Sequence, residues 1–122
     1  MILACAISAG IHGALAPAHF GEGTGAGVGF VASAVALIGL VVWLTARPAS
    51  RLAFLATGAV LLGLLASYAL AVSSGLPVLH PEPEPLDGLA LATKAIEAIG
   101  LAVAASFLWR PAAAVSPNPK GI

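Results

Sequence analysis

Charge is what this chain has least of. Its 122 residues hold five Lys or Arg and five Asp or Glu, 8% of the total, with no net charge. A balanced chain has no electrostatic footprint for nucleic acid. Its single cysteine excludes an internal disulfide and any multi-cysteine metal site. Between residues 25 and 46 there is no charge at all, so the polar stripe that a water-soluble helical bundle needs is missing. Signatures of catalysis are missing too. There is no HExxH, and no serine, histidine and acid can be placed as a trio. The glycine-rich segment 21–29 lacks GxGxxG spacing and a preceding strand, which excludes a dinucleotide loop. No enzymatic activity is expected.

Apolar sequence is abundant. Hydrophobic residues make up 60% of the chain, and the mean hydropathy of +1.05 lies well above the soluble norm. Four apolar stretches, at 2–16, 25–46, 52–73 and 88–109, take up most of the length. A hydrocarbon core about 30 Å thick needs about 20 apolar residues in a helix. The predicted fold is therefore all-α: a polytopic four-helix transmembrane bundle over 1–110, followed by a mobile cytoplasmic tail over 111–122.

The few charges sort by sign along the joints. Arg47 and Arg51 flank the second joint, and Arg110 and Lys120 follow helix four. The other joints hold Glu22, and Glu82, Glu84 and Asp87, without Lys or Arg. The positive-inside rule puts the arginine side, and with it both termini, in the cytoplasm of a multi-pass plasma-membrane protein. Trp43 and Trp109 near the arginine ends suit the interface. Pro48 and Pro111 are read as helix stops, and Ser50 and Asp87 as caps of helices three and four. The run Pro81-Glu82-Pro83-Glu84-Pro85 should be extended and stiff.

Helix one, taken to stop at Pro17, is the short span, about 24 Å long. Ala14-Leu15-Ala16 has the form of a signal-peptide cleavage site, but no positive n-region precedes it. Helix one is expected to be retained. In lipid, small residues at every fourth position let helices approach closely. Such ladders occur at Ala6, Gly10 and Ala14; at Gly25, Gly29 and Ser33; at Ala59, Gly63 and Ser67; and at Ala98, Ala102 and Ser106.

Ionisable groups inside a span are costly and mark candidate sites. Cys5, Ser8 and His12 share one face of helix one. Lys94 and Glu97 lie in helix four, spaced to neutralise each other. At about 1.5 Å per residue, His12 and Lys94 lie roughly 10 Å from the outer end and Glu97 roughly 15 Å. With Ser33, Ser67 and Tyr68 at comparable depth, these groups form an expected buried polar cluster in the outer half. It serves either to fix helix orientation, or as a proton path or small-molecule pocket. A separate solvent-open zinc or copper site is conceivable on the outer face, from His19, His80 and one of Glu22, Glu82 or Glu84.

His12, His19-Phe20, Gly75-Leu76-Pro77, Pro81-Glu82-Pro83, Asp87 and Glu97 together resemble small four-span hypothetical membrane proteins common in high-GC actinobacteria. The resemblance runs over nearly the whole chain, although Lys94 is not part of the pattern. It implies the four-span architecture and the outer histidine and acid cluster. That group has no assigned activity. The function expected first is a small accessory or interaction subunit, with the bilayer and a protein partner or second copy around it. The alternatives are a metal-handling protein of the outer face and a proton-coupled carrier working as an oligomer.

Overall fold

The computed structural model describes residues 1–77, 79 and 81–111. His80, Lys120 and the expected tail, apart from Pro111, lie outside the described residues. The described chain has four helices: α1 Ile2–Glu22, α2 Thr24–Ala46, α3 Arg51–Ser73 and α4 Gly88–Trp109. Each is long and apolar enough to cross a membrane. Two caps form as expected. The Ser50 side chain accepts from the amide of Ala53 at 3.2 Å, and that of Asp87 from Ala90 at 2.9 Å, each satisfying a first-turn donor.

Helix one differs from expectation. Pro17 lies inside α1, which runs on to Glu22. Proline removes one backbone hydrogen bond, but helices that cross membranes tolerate this where their surroundings re-satisfy the freed groups. At 21 residues, α1 is about 31 Å long and is no longer a short span. Its joint to α2 is the single residue Gly23, whose amide closes α1 on the His19 carbonyl at 3.0 Å. His19 is thus a helix residue, not a loop residue.

The helices form an antiparallel ring in which α1 packs on α2, α2 on α3, α3 on α4 and α4 on α1. Neither diagonal pair packs among the described residues. All four helix ends at Gly23 and the 74–87 segment make one end of the bundle, here called the acidic end. Arg47, Arg51 and Arg110 mark the other. At the arginine end, Phe54 stacks on Phe107 with ring centroids 5.1 Å apart, and Arg51 donates to the Leu108 carbonyl at 2.7 Å. In the middle, Cys5, Ala9, Leu37 and Leu61 form the core. Two glycines permit close approach: Gly27 on α2, where a Cβ would overlap the Phe20 ring of α1, and Gly100 on α4. A Cβ at Gly100 would sit 2.8 Å from the Ala4 Cβ and 3.0 Å from Leu61 Cδ1.

The interior combines large apolar side chains such as Leu37, Leu44 and Leu61 with small and polar ones, while many large apolar side chains face outward. Buried positions include Ala4, Ala9, Ala16, Ala26, Ala34 and Ala104 with Ser8, His12, Thr57, Thr93 and Glu97; Leu3, Val35, Ile38, Val42, Leu62 and Ile99 point outward. Three of the four ladders are exposed as well, Ser67 on the cavity at the acidic end. Ala6, Gly10 and Ala14, Ala59, Gly63 and Ser67, and Ala98, Ala102 and Ser106 are all exposed. The buried face of α1 is instead the neighbouring row Ala4, Ser8, His12 and Ala16. Spacing alone leaves open which row of a helix rich in small residues turns inward. Gly25, Gly29 and Ser33 are half-buried.

Candidate functional site: a polar chain beneath a cavity

At the acidic end the four helices part around a cavity of about 210 Å³. Every helix contributes to its wall, including Ile11 and Leu15 of α1, Phe30 of α2, Leu64 of α3 and Ala90 of α4. Gly75, with φ 75° in the left-handed region that favours glycine, turns the chain after α3. The Glu84 amide then bonds back to the Ala71 carbonyl at 2.9 Å. Leu76, Leu79, Glu84 and Asp87 add to the cavity lining.

Beneath the cavity runs a continuous polar chain from α1 to α4. His12 Nδ1 is 2.9 Å from the Ser8 carbonyl and 3.3 Å from Ser8 Oγ. A carbonyl only accepts, so Nδ1 carries the proton and donates. Ser8 Oγ donates to Glu97 Oε1 at 2.6 Å, and Lys94 Nζ donates to Glu97 Oε2 at 2.8 Å. Both carboxylate oxygens therefore have a donor. Glu97 has no exposed surface, while the Lys94 side chain keeps 15% of its surface. A buried charge needs this pairing and these hydrogen bonds. The ammonium has three donors, and Glu97 is the hydrogen-bond acceptor found for it. Lys94 also lies over the Tyr68 ring, 5.5 Å from its centroid.

The expected polar cluster is thus brought together, though unevenly. His12, Lys94, Ser33, Ser67 and Tyr68 all line the cavity, and Glu97 lies below it. Only His12, Lys94 and Glu97 join the hydrogen-bonded chain. Ser33 Oγ turns back to the Gly29 carbonyl at 2.8 Å. The Tyr68 hydroxyl is shut off from solvent and has no hydrogen-bond partner. His12 lies ten residues from the end of α1, about 15 Å deep and level with Glu97, because α1 continues past Pro17.

Three participants stand outside the residues expected to form the cluster, although spacing already places Ser8 on the His12 face of helix one. Ser8 is the bridge between His12 and Glu97, and its i,i+4 spacing to His12 was the available signal. Thr93 is buried on the cavity wall, bonded to the Leu89 carbonyl at 2.8 Å. Phe30 is the aromatic wall. His19 stacks on it at 3.7 Å between centroids, and His12 tilts against it at 5.2 Å. No residue spacing along the chain announces that contact between helices.

The candidate metal ligands are spread out. His19 Nδ1 is committed to the Leu15 carbonyl at 3.0 Å, and its Nε2 lies 3.8 Å from Glu22 Oε2. Glu84 lines the cavity and Glu82 is on the exposed surface. His80 is outside the described residues. Among the described residues no group of three or more His, Cys, Asp or Glu is placed to hold a metal ion. Comparison with family models, curated proteins and solved structures returns no match.

Proposed function

We propose that this chain is a multi-pass plasma-membrane protein that binds a small, partly apolar molecule in the cavity at its outer end. The observation that carries this is the cavity itself: about 210 Å³, walled by all four helices, apolar around most of its lining and polar at its base. A concave, mostly apolar site with a few convergent polar groups is the usual form of a small-molecule site. Membrane insertion is supported by four helices long and apolar enough to cross a membrane and by the many outward Leu, Ile and Val side chains, an exterior suited to lipid. The orientation, with the arginine end and both termini in the cytoplasm, rests on Arg47, Arg51 and Arg110 against an acidic end without Lys or Arg among the described residues.

The test is native mass spectrometry of the protein released from nanodiscs made with its host lipids. A bound small molecule is expected, and it should be lost in Gly29→Leu. Gly29 lines the cavity, and no atom lies within 4 Å of where its Cβ would be, so there is open space for a larger side chain to start into the site. No adduct on either protein would overturn the proposal. Cysteines placed at Ala49 and Glu84 should label from opposite sides of the membrane, Glu84 from outside.

A second reading, the small interaction subunit, has its own observation. The ladder Ala6, Gly10 and Ala14 borders an outward groove between α1 and α2 that also includes Gly13, Ala34 and Ile38. A partner's transmembrane helix could approach closely there. Gly10→Leu should then release a co-purifying partner while leaving the cavity intact.

A further inference from the structure

The charges that line the cavity do not cancel. They are Glu84, Asp87 and Lys94, with His12 and His19 beside them. Lys94 is neutralised by Glu97 at 2.8 Å. Each histidine ring is held through Nδ1 by a carbonyl of its own helix, Ser8 for His12 and Leu15 for His19, an arrangement that needs no charge on the ring. What remains is the negative charge of Glu84 and Asp87.

That charge sits apart from the ammonium. Asp87 caps α4, and Lys94 lies seven residues further in, about 10 Å along the helix. Asp87 is exposed and Glu84 half-buried, so a cation beside them keeps part of its water and escapes the full cost of desolvation. The cap uses one acceptor site of Asp87, through Oδ1, and a carboxylate has about four. The rest of the wall is largely apolar, with Leu15, Phe30, Leu64 and Leu76 among its residues. An apolar cavity of about 150 Å³ holds benzene. The present volume, about 210 Å³, has room for one ring with a short arm.

These features select among ligands. An anion meets two carboxylates and finds Lys94 already paired. A small inorganic cation needs a shell of oxygen ligands, whereas among the described residues no group of three or more His, Cys, Asp or Glu is placed to hold a metal ion. A neutral molecule fills the apolar space but gains nothing from Glu84 and Asp87. We infer that the cavity takes a monovalent organic cation: an ammonium on a short arm from one apolar ring, with the ammonium beside Glu84 and Asp87 and the ring against Phe30 and Leu64. This rests on the proposal that the cavity is a binding site, and it assigns the class of ligand.

The test uses the full chain in nanodiscs of phosphatidylcholine, whose zwitterionic surface does not itself concentrate cations. Three fluorinated probes share one shape: 4-fluorobenzylammonium, 4-fluorobenzyl alcohol and 4-fluorobenzoate. Fluorine NMR measures saturable binding of each, with empty nanodiscs as the control for partition into lipid. The ammonium should bind about tenfold tighter than the alcohol, since each water-accessible ion pair contributes about two- to fivefold, and the benzoate should bind weakest. Asp87→Asn combined with Glu84→Gln should remove that tenfold and leave the alcohol unchanged. Asparagine caps helices as well as aspartate does, and an unchanged alcohol affinity shows that the cavity is intact. Glu84→Gln alone leaves the cap untouched and should remove about threefold. Glu82→Gln is the control for surface charge, because Glu82 is exposed and is not among the lining residues; it should change nothing. Equal affinity for ammonium and alcohol, or a loss in Glu82→Gln as large as in the double variant, overturns the ligand class while saturable alcohol binding keeps the cavity as a site. Tighter binding of the benzoate overturns the class in the same way. Ammonium binding that persists undiminished in Gly29→Leu lies elsewhere and overturns the assignment to this cavity. Absence of saturable binding by all three overturns both the class and the site.

Discussion

Lys94 and Glu97 should prove strongly coupled and unequal. Glu97 is fully buried, and its two oxygens depend on Ser8 and Lys94. Lys94→Met keeps the aliphatic stem and removes the charge. It leaves a carboxylate in the bundle with one neutral hydroxyl as its remaining donor. Removing one partner of a buried pair costs about 3–5 kcal/mol. Glu97→Gln strands the ammonium instead, but Lys94 keeps 15% of its surface and opens on the cavity, so it regains solvation and the cost falls to about 1–3 kcal/mol. In the double variant no charge is left. The carboxamide that replaces the Glu97 carboxylate can still accept from Ser8, and the net loss should be about 1–2 kcal/mol. The coupling energy is then about 4–5 kcal/mol, above the range usual for residues in contact, as expected where each single change strands a buried charge. Reversible unfolding in mixed micelles, titrated with a denaturing detergent, gives all four free energies. Additivity within about 0.5 kcal/mol would show that the two groups do not depend on each other. A larger loss for Glu97→Gln than for Lys94→Met would refute the burial argument.

Gly100→Ala should destabilise by about 1–3 kcal/mol in the same assay, because its Cβ would press on the Ala4 Cβ at 2.8 Å and Leu61 Cδ1 at 3.0 Å. Gly63→Ala, with nothing within 4 Å, should change stability by less than about 0.5 kcal/mol; equal losses would mean that α1 and α4 do not meet closely at Gly100. Ser8→Ala removes the link between His12 and Glu97 and should cost about 1–3 kcal/mol. It should also move the His12 ring nitrogen resonances, and unmoved resonances would show that the link is not made. Zinc or copper titration followed by calorimetry should show no stoichiometric site, since the His19 Nδ1 is held by Leu15 and no metal-holding group forms among the described residues. Saturable binding lost in both His19→Ala and His80→Ala would restore the metal alternative.

Much of the architecture was legible in the residues because it depends on local physics. Helix number and length follow from runs of apolar residues, and the joints follow from where charge, proline and glycine gather. The caps at Ser50 and Asp87 need only a short polar side chain beside a free amide. The Lys94 and Glu97 pair follows from spacing on one helix, and His12 joins them because an ionisable group at mid-depth needs a polar neighbour. The stop assigned at Pro17 failed for a physical reason. Proline costs one hydrogen bond, whereas ending the helix there would expose several unpaired backbone groups to an apolar surrounding.

The rotation of each helix about its own axis was settled only by tertiary packing. In a chain this rich in alanine and glycine, several rows on each helix are smooth enough to be an interface. Three rows of small residues stayed exposed, and Ala4, Ser8, His12 and Ala16 turned inward. That rotation made Ser8 the bridge to Glu97, set Phe30 between His12 and His19, and left the Tyr68 hydroxyl without a partner beside the cavity. Hydropathy and turn chemistry act along the chain and are written in it directly. Close packing compares surfaces that are far apart in sequence, and only the assembled bundle decides among them.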